Sequence, residues 1–399
     1  MITKRFKIFS LLGFPIYLDL SWFAIVILIS WSLATSVFPS QVEGLTATAY
    51  WTMGVLGALG LFASILAHEL GHAVVARRFE LPMRGITLFI FGGVAEMTKE
   101  PPSAKAEFFV AIAGPIVSIF IAAACFAFTI LTGGVLPPSV NAVAWYLALI
   151  NAIVVAFNLI PAFPLDGGRV LRSILWQLKG NLRWATRISS GLGSAFGLLL
   201  IVFGLLNLLA GNFIGAIWQF LIGMFLRNAA QMSYQQVLIR RALEGEPVHR
   251  FMQSNVITVA PSLTLDRLVD DYVYRHHHKM FPVATENELF GCVTTRAIQE
   301  VPRDKWAQTL VSEVAKRCDQ ENTTDPDADA MDALTKLSRS GSSRLMVVQQ
   351  GRLVGLLSLK DLMKFISLKI ELEEDGLADS KSIQTQEPAN KMGHDSHAA

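Results

Sequence analysis

His68, Glu69 and His72, within His68-Glu69-Leu70-Gly71-His72, are the residues whose types and spacing could do chemistry. On a helix, positions i and i+4 share a face one turn apart. His68 and His72 can therefore turn two imidazoles toward one point, with Glu69 beside them. That is the HExxH arrangement: two zinc ligands and a carboxylate able to take a proton from water at the metal. The surroundings are apolar. No Lys or Arg falls between Lys7 and Arg77, and the acids there are Asp19, Glu43 and Glu69. Leu61, Phe62, Ile65, Leu66, Val74 and Val75 flank the motif, as they would in a membrane span. Three ionisable side chains in one turn of such a span are costly without a function.

A catalytic zinc site uses three protein ligands and keeps a position open for water. The other six histidines all lie beyond residue 248, so the membrane half offers only acids, and those near apolar spans are Asp19, Glu96, Glu107 and Asp166. Asp166 stands out. It follows Asn158-Leu159-Ile160-Pro161-Ala162-Phe163-Pro164-Leu165 and precedes Gly167-Gly168, so helix breakers free the backbone around one carboxylate. The competing reading is an interfacial helix-capping Asp.

The elements that must position these residues follow from composition. Of 399 residues, 52% are hydrophobic and 17% charged, against about 25% charged in soluble domains. Residues 1–230 carry 14 Lys/Arg and 8 Asp/Glu, and residues 231–399 carry 20 and 24, so neither half is basic enough for nucleic acid. Cys125, Cys292 and Cys318 show no CxxC spacing, which gives neither a disulfide framework nor a thiolate zinc site.

Apolar runs of about 20 residues cross a bilayer. On that measure, spans are expected at roughly 16–36, 47–76, 108–131, 141–161, 188–209 and 213–226. The first is read as retained rather than as a cleaved signal peptide, with Gly13, Pro15 and Asp19 interrupting its start. Loops 37–46, 132–140 and 210–212 hold no Lys or Arg, and every basic residue of the membrane half falls on the other side. The positive-inside rule then puts both termini in the cytoplasm of a multi-pass protein of the cell (inner) membrane. It also puts the HExxH motif toward the cytoplasmic end of span two.

Residues 86–91 and 94–97 are β-prone around Gly92-Gly93 and predict a re-entrant hairpin turning at the two glycines. From about residue 230 the composition turns soluble. Met280–Val283 with Gly291–Ile298, and Leu345–Val348 with Gly355–Leu362, each read as strand, turn, strand and helix start. Helices at 264–276 and 328–339 precede them, making one unit used twice. His276-His277-His278 is placed at the end of the first of these helices, not in a metal site. Residues 371–399, with His394 and His397, read as a disordered tail.

These motifs resemble the site-2 protease family of intramembrane zinc metalloproteases. The resemblance rests on His68-Glu69-Leu70-Gly71-His72, Ala113-Gly114-Pro115 and the segment Asn158…Pro161…Pro164-Leu165-Asp166-Gly167-Gly168. The tandem unit at 250–370 resembles a CBS-domain pair, as in the prokaryotic six-span branch of the family. The expected fold is a polytopic α-helical membrane protein with a small β-hairpin, plus a C-terminal α+β CBS pair. Expected domains are a metalloprotease domain at 1–230, a linker at 231–249, CBS repeats at 250–305 and 306–370, and the tail.

The resemblance implies one zinc per chain held by His68, His72 and Asp166, with Glu69 as general base and then acid. It implies regulated cleavage of transmembrane protein substrates. Asn158, Gly92 and Gly93 are assigned to substrate contacts, because an edge strand can hold an unwound segment by main-chain pairing. CBS pairs bind adenine nucleotides such as AMP or ATP, through Ser/Thr followed three residues later by Asp. Ser358 and Asp361 match. Thr294 is followed by Ala297, so one of the two sites lacks its acid. The CBS pair could instead serve as a homodimer contact. The alternative function is a CBS-regulated metal transporter or channel.

Overall fold

The computed structural model describes residues 5–90, 92–97, 100–285 and 288–384. They form two compact units, Met1–Gln235 and Gln236–Ala399.

The N-terminal unit opens with a hairpin where the sequence suggested the start of a span. Strands β1 (Arg5–Leu11) and β2 (Phe14–Asp19) pair antiparallel. Leu12 and Gly13 both take positive φ, 53° and 88°, the conformation of a tight two-residue hairpin turn. Asp19 ends the hairpin and caps helix α1 (Leu20–Ser32) by accepting from Ser21 N at 2.9 Å. The first span therefore begins at Leu20. It continues through a π turn and α2 (Phe38–Gln41).

The remaining spans follow. They are α3 (Ala47–Arg78), α4 (Ala104–Thr132), α5 (Pro138–Asn158), α7 (Leu182–Leu209) and α8 (Phe213–Leu243), with the shorter α6 (Asp166–Lys179) after α5. Among the described residues six helical segments are long and apolar enough to cross a membrane, the number expected from the apolar runs. The last is not short: it runs on from 226 to Leu243, so most of the expected 231–249 linker is helix.

Strands β3 (Met83–Phe89) and β4 (Gly92–Met97) confirm the second hairpin but move its turn. Gly92 and Gly93 are strand residues, paired with Phe89 and Leu88. Nor is the hairpin free-standing. β2 pairs parallel with β3, giving one sheet in the order β1-β2-β3-β4. Phe14, Ile16 and Ile86 of this sheet bury against Leu70 and Ala73 of α3, which fixes the sheet on the helix carrying the motif.

The C-terminal unit contains the repeat. Its first half is α9 (Leu265–Arg267), a π turn, α10 (Tyr274–His276), β5 (Met280–Ala284), β6 (Leu289–Thr294) and α11 (Thr295–Gln299). Then come α12 (Val311–Val314), β7 (Lys316–Arg317), β8 (Thr323–Thr324), α13 (Ala330–Ser340), β9 (Arg344–Gln349), β10 (Arg352–Ser358) and α14 (Leu359–Gln384). Two sheets result, β5-β6-β7 and β10-β9-β8.

The cores cross the expected boundary between repeats. Val311 packs with the first repeat's Val259, Phe281 and Val293. Ala242, Leu243, Val248 and Phe251 pack with the second repeat's Leu345, Leu357 and Leu362. Each half lends its leading segment to the other, so repeats cut at 305/306 are not packing units. Residues 371–384, within the expected disordered tail, continue α14. Glu, Leu, Ala and Lys there are good helix formers, and low hydrophobicity alone does not exclude a helix. His394 and His397 lie outside the described residues.

Candidate active site

Helix α3 delivers His68 and His72 on one face, and the break between α5 and α6 delivers Asp166. His68 Nε2 lies 3.0 Å from Asp166 Oδ2, His72 Nε2 lies 3.3 Å from the same oxygen, and the two Nε2 atoms are 3.2 Å apart. Among the described residues these three form the one His/Cys/Asp/Glu cluster able to hold a metal ion. The donor set fits zinc. Bonds of about 2.0–2.1 Å to a tetrahedral ion put ligand atoms about 3.3 Å apart, close to each edge of this triangle.

The far side of each imidazole is also fixed. His72 Nδ1 donates to Val110 O at 2.6 Å, which leaves Nε2 of the neutral ring a lone pair facing the cluster. His68 Nδ1 is 2.9 Å from Ser118 Oγ. Such partners orient metal-binding histidines and set their tautomer.

Both partners come from α4, as does the close approach that admits the cluster. A Cβ on Gly114 would lie 2.6 Å from His68 Nε2 and nearer still to His72 Nε2, so only glycine leaves room. Two turns before Gly114 on that face, Glu107 receives Arg172 of α6, whose Nε donates to Glu107 Oε1 at 2.6 Å. Arg172 also reaches Glu100, and its guanidinium stacks 5.0 Å over Phe163 in the α5–α6 break. The break is anchored again by Phe163 N, which donates to Ser189 O of α7 at 3.2 Å. Residues 107, 110, 114 and 118 share one helical face. That face holds both histidines of α3 and, through Arg172, the helix that begins at Asp166.

The other candidate acids are placed elsewhere. Asp19 caps α1, and Glu107 pairs with Arg172. The Glu96 side chain lies outside the described residues.

Glu69 faces a cavity of about 530 Å³ that is also lined by Ile65, His68, Gly92, Gly93, Asn151 and Asn158. Strand β4 crosses directly over the carboxylate. A Cβ on Gly93 would sit 2.7 Å from Glu69 Cγ, so glycine is what lets the strand come this close. The structure thus sets Gly92, Gly93 and Asn158 on the cavity of His68 and Glu69, beside His72 and Asp166. It adds Ser118, the Val110 carbonyl, Arg172 with Glu107, and a buried pair, Asn151 and Ser64. Their signal in the sequence was polarity inside apolar spans, which is costly and therefore purposeful. Only tertiary contacts pair them.

In the C-terminal unit, Ser358 ends β10 just before α14 and accepts from Asp361 N at 3.2 Å, while its hydroxyl donates to the Asp361 carboxylate. Gln253 Nε2 reaches both oxygens of that carboxylate, at 3.1 and 3.3 Å. Thr294 caps α11 in the same way, accepting from Ala297 N at 3.2 Å, with no acid following. The histidine run ends α10, and His277 takes positive φ, 54°.

Comparison with known proteins agrees with both units. Residues 56–141 and 128–202 match peptidase family M50, and residues 248–303 and 311–368 match the CBS domain. The chain is 33% identical over 359 residues to Rip3 of Mycobacterium tuberculosis, covering 89% of this chain and 91% of that protein. It is 34% identical over 370 residues to sll0528 of Synechocystis, covering 91% and 96%. Both relatives are provisionally named zinc metalloproteases. Among solved structures, the site-2 protease of Methanocaldococcus jannaschii matches at TM-score 0.40 and 27% identity, over 58% of this chain and 95% of that one.

Proposed function

The chain belongs to peptidase family M50, the site-2 proteases, and is a multi-pass zinc metallopeptidase with CBS domains; from that premise we propose that it is an intramembrane endopeptidase whose substrates are transmembrane segments. The observation that carries this reading is the triangle of His68, His72 and Asp166, with edges of 3.0 to 3.3 Å, set between membrane-length helices beside Glu69.

His68, His72 and Asp166 would hold one zinc ion. Zinc there would polarise the scissile carbonyl and acidify the attacking water. Glu69 is placed to accept the proton from that water and deliver it to the departing amine. A transmembrane helix hides its carbonyls in i→i+4 bonds, so it must unwind before its backbone can react. The free edge of β4 offers main-chain groups for an extended segment. Gly92 and Gly93 let that segment approach Glu69, and Asn158, on the same cavity wall, contacts it. The Lys/Arg distribution supports cytoplasmic termini in the cell (inner) membrane.

The CBS pair is the regulatory part of this proposal. Ser358 and Asp361 at the start of α14 suit the ribose of an adenine nucleotide, AMP or ATP. Thr294 is left a helix cap. The transporter alternative is not taken further, since relatives matched over nine-tenths of their length carry metalloprotease names.

Glu69→Gln tests the reading. The variant should bind zinc stoichiometrically and lose cleavage of a single-span substrate in lipid bilayers by at least about a hundredfold. Retained cleavage would refute Glu69 as the base.

A further inference from the structure

Asn151 has no assigned role, yet its place in the cavity is built. It lies in mid-span on α5, 1% exposed, and is held by two elements. Its Nδ2 donates to Leu147 O at 2.8 Å and to Ser64 Oγ of α3 at 3.1 Å. The Leu147 carbonyl can only accept, which fixes which end of the amide is nitrogen. Ser64 in turn donates to Gly60 O at 2.9 Å, so its hydroxyl hydrogen is committed and its oxygen is free to receive Asn151. Both Asn151 donors are therefore used. Its Oδ1 has no hydrogen-bond partner among the described residues, and the side chain lines the same cavity as Glu69.

An amide in a span is expensive, and one braced by two helices beside a cavity, with both donors used and its acceptor unpartnered among the described residues, is made to receive a donor. We propose that Asn151 Oδ1 accepts a peptide N–H of the unwound substrate, forming a second backbone-binding position deep in the membrane. The proposal rests on the intramembrane reading above.

The spacing sets the register. Asn151 and Asn158 are seven residues apart on one face of α5, about 10 Å along the axis. An extended chain rises about 3.3 Å per residue, so the two asparagines are three substrate residues apart. Unwinding a helix in lipid exposes N–H groups that water cannot reach, and each unsatisfied one opposes the process. An acceptor fixed at that depth offsets part of the cost at one defined position. It makes the enzyme selective for substrates that stay unwound about three residues beyond the Asn158 contact, toward the far end of α5.

The test uses full-length zinc-loaded protein in lipid bilayers with synthetic single-span peptides. In these, one amide at a time becomes an ester, deleting one N–H. One ester position, about three residues from the next contacted position, should lower kcat/KM of the wild type about tenfold. Asn151→Leu should lower kcat/KM about tenfold on the all-amide substrate and be indifferent to the ester at that position. If the two losses multiply at every ester position, Asn151 acts only through the fold and the proposal fails. It also fails if no ester within four residues of the cleaved bond costs the wild type more than about twofold, a result that needs no variant to fold. Failure of the intramembrane reading is distinct: the wild type would not cleave the spanning peptide at all.

Discussion

Gly114→Ala is the sharpest probe of the zinc site, because it touches the cluster without changing any of its donors. The added carbon would lie 2.6 Å from His68 Nε2 and closer to His72 Nε2. Unbonded carbon and nitrogen rest at about 3.5 Å, so about 1 Å must be found by moving α4 or the imidazoles. Neither moves freely. His72 is tied to Val110 O at 2.6 Å and His68 to Ser118 Oγ at 2.9 Å, both on α4 itself. If α4 retreats, these bonds lengthen; if the rings rotate, Nε2 leaves the triangle. Active-site groups tolerate about 0.5 Å of misplacement, and 1 Å costs about a hundredfold in rate. The variant should therefore lose zinc affinity and at least about a hundredfold in kcat/KM. Zinc per chain is read by chelator competition, and cleavage by a single-span substrate in bilayers. Gly191→Ala in α7 is the control, since nothing lies within 4 Å of its Cβ position. It should keep zinc and activity, with stability unchanged or slightly raised. Stoichiometric zinc and kcat/KM within threefold of wild type in Gly114→Ala would refute the packing argument.

Ser118→Ala should lower zinc affinity about 10- to 100-fold by removing the partner of His68 Nδ1, measured by the same chelator competition. Arg172→Met leaves Glu107 buried and uncompensated and should cost about 3–5 kcal/mol of stability; adding Glu107→Met should recover most of it by thermal denaturation without restoring activity. Asp361→Ala should abolish binding of AMP or ATP by calorimetry, while Thr294→Val should leave it within about threefold. Burial pushes the Cys292 thiol up to about 11, so at pH 8 about one molecule in a thousand is thiolate; mass spectrometry should find iodoacetamide on exposed Cys318 well before Cys292 in the folded protein.

The triangle of His68, His72 and Asp166 was legible as a candidate metal site because lipid makes ionisable residues scarce. With two histidines and few acids in the membrane half, the ligand set had almost no competitors. The spans were legible for the same reason, as unbroken apolar runs. The N-terminal hairpin was not. Phe14, Ile16 and Leu18 run into the apolar helix that follows, and the positive φ of Leu12 and Gly13 and the parallel pairing with β3 separate the two. The Gly92-Gly93 turn was misplaced because a glycine pair signals a turn and a close approach equally well. Here the second demand won, with Gly93 against Glu69. The exchange of segments between the CBS repeats left no signal of its own. Sequence repeats mark where similarity begins, and that Val311 and Leu243 pack across that line is a tertiary feature the repeat does not show.

What ties these observations together is the division of labour among the helices. α3 carries the chemistry but no means of aiming it: His68 and His72 share a face, and each ring could still rotate about its side-chain bonds. α4 supplies the aim. Glu107, Val110, Gly114 and Ser118 lie along one of its faces, and each meets a different part of the centre. Arg172 extends that face to α6, so Asp166 is positioned by the helix that positions the histidines. A displacement of α4 would therefore move all three donors from their partners together, while changes on α5 would alter what occupies the cavity. Variants of α4 should accordingly show up first in zinc affinity, and variants of Asn151 in the choice of substrate with zinc affinity kept. Zinc loss in Asn151→Leu equal to that in Ser118→Ala would break this separation and with it the assignment of α5 to the substrate.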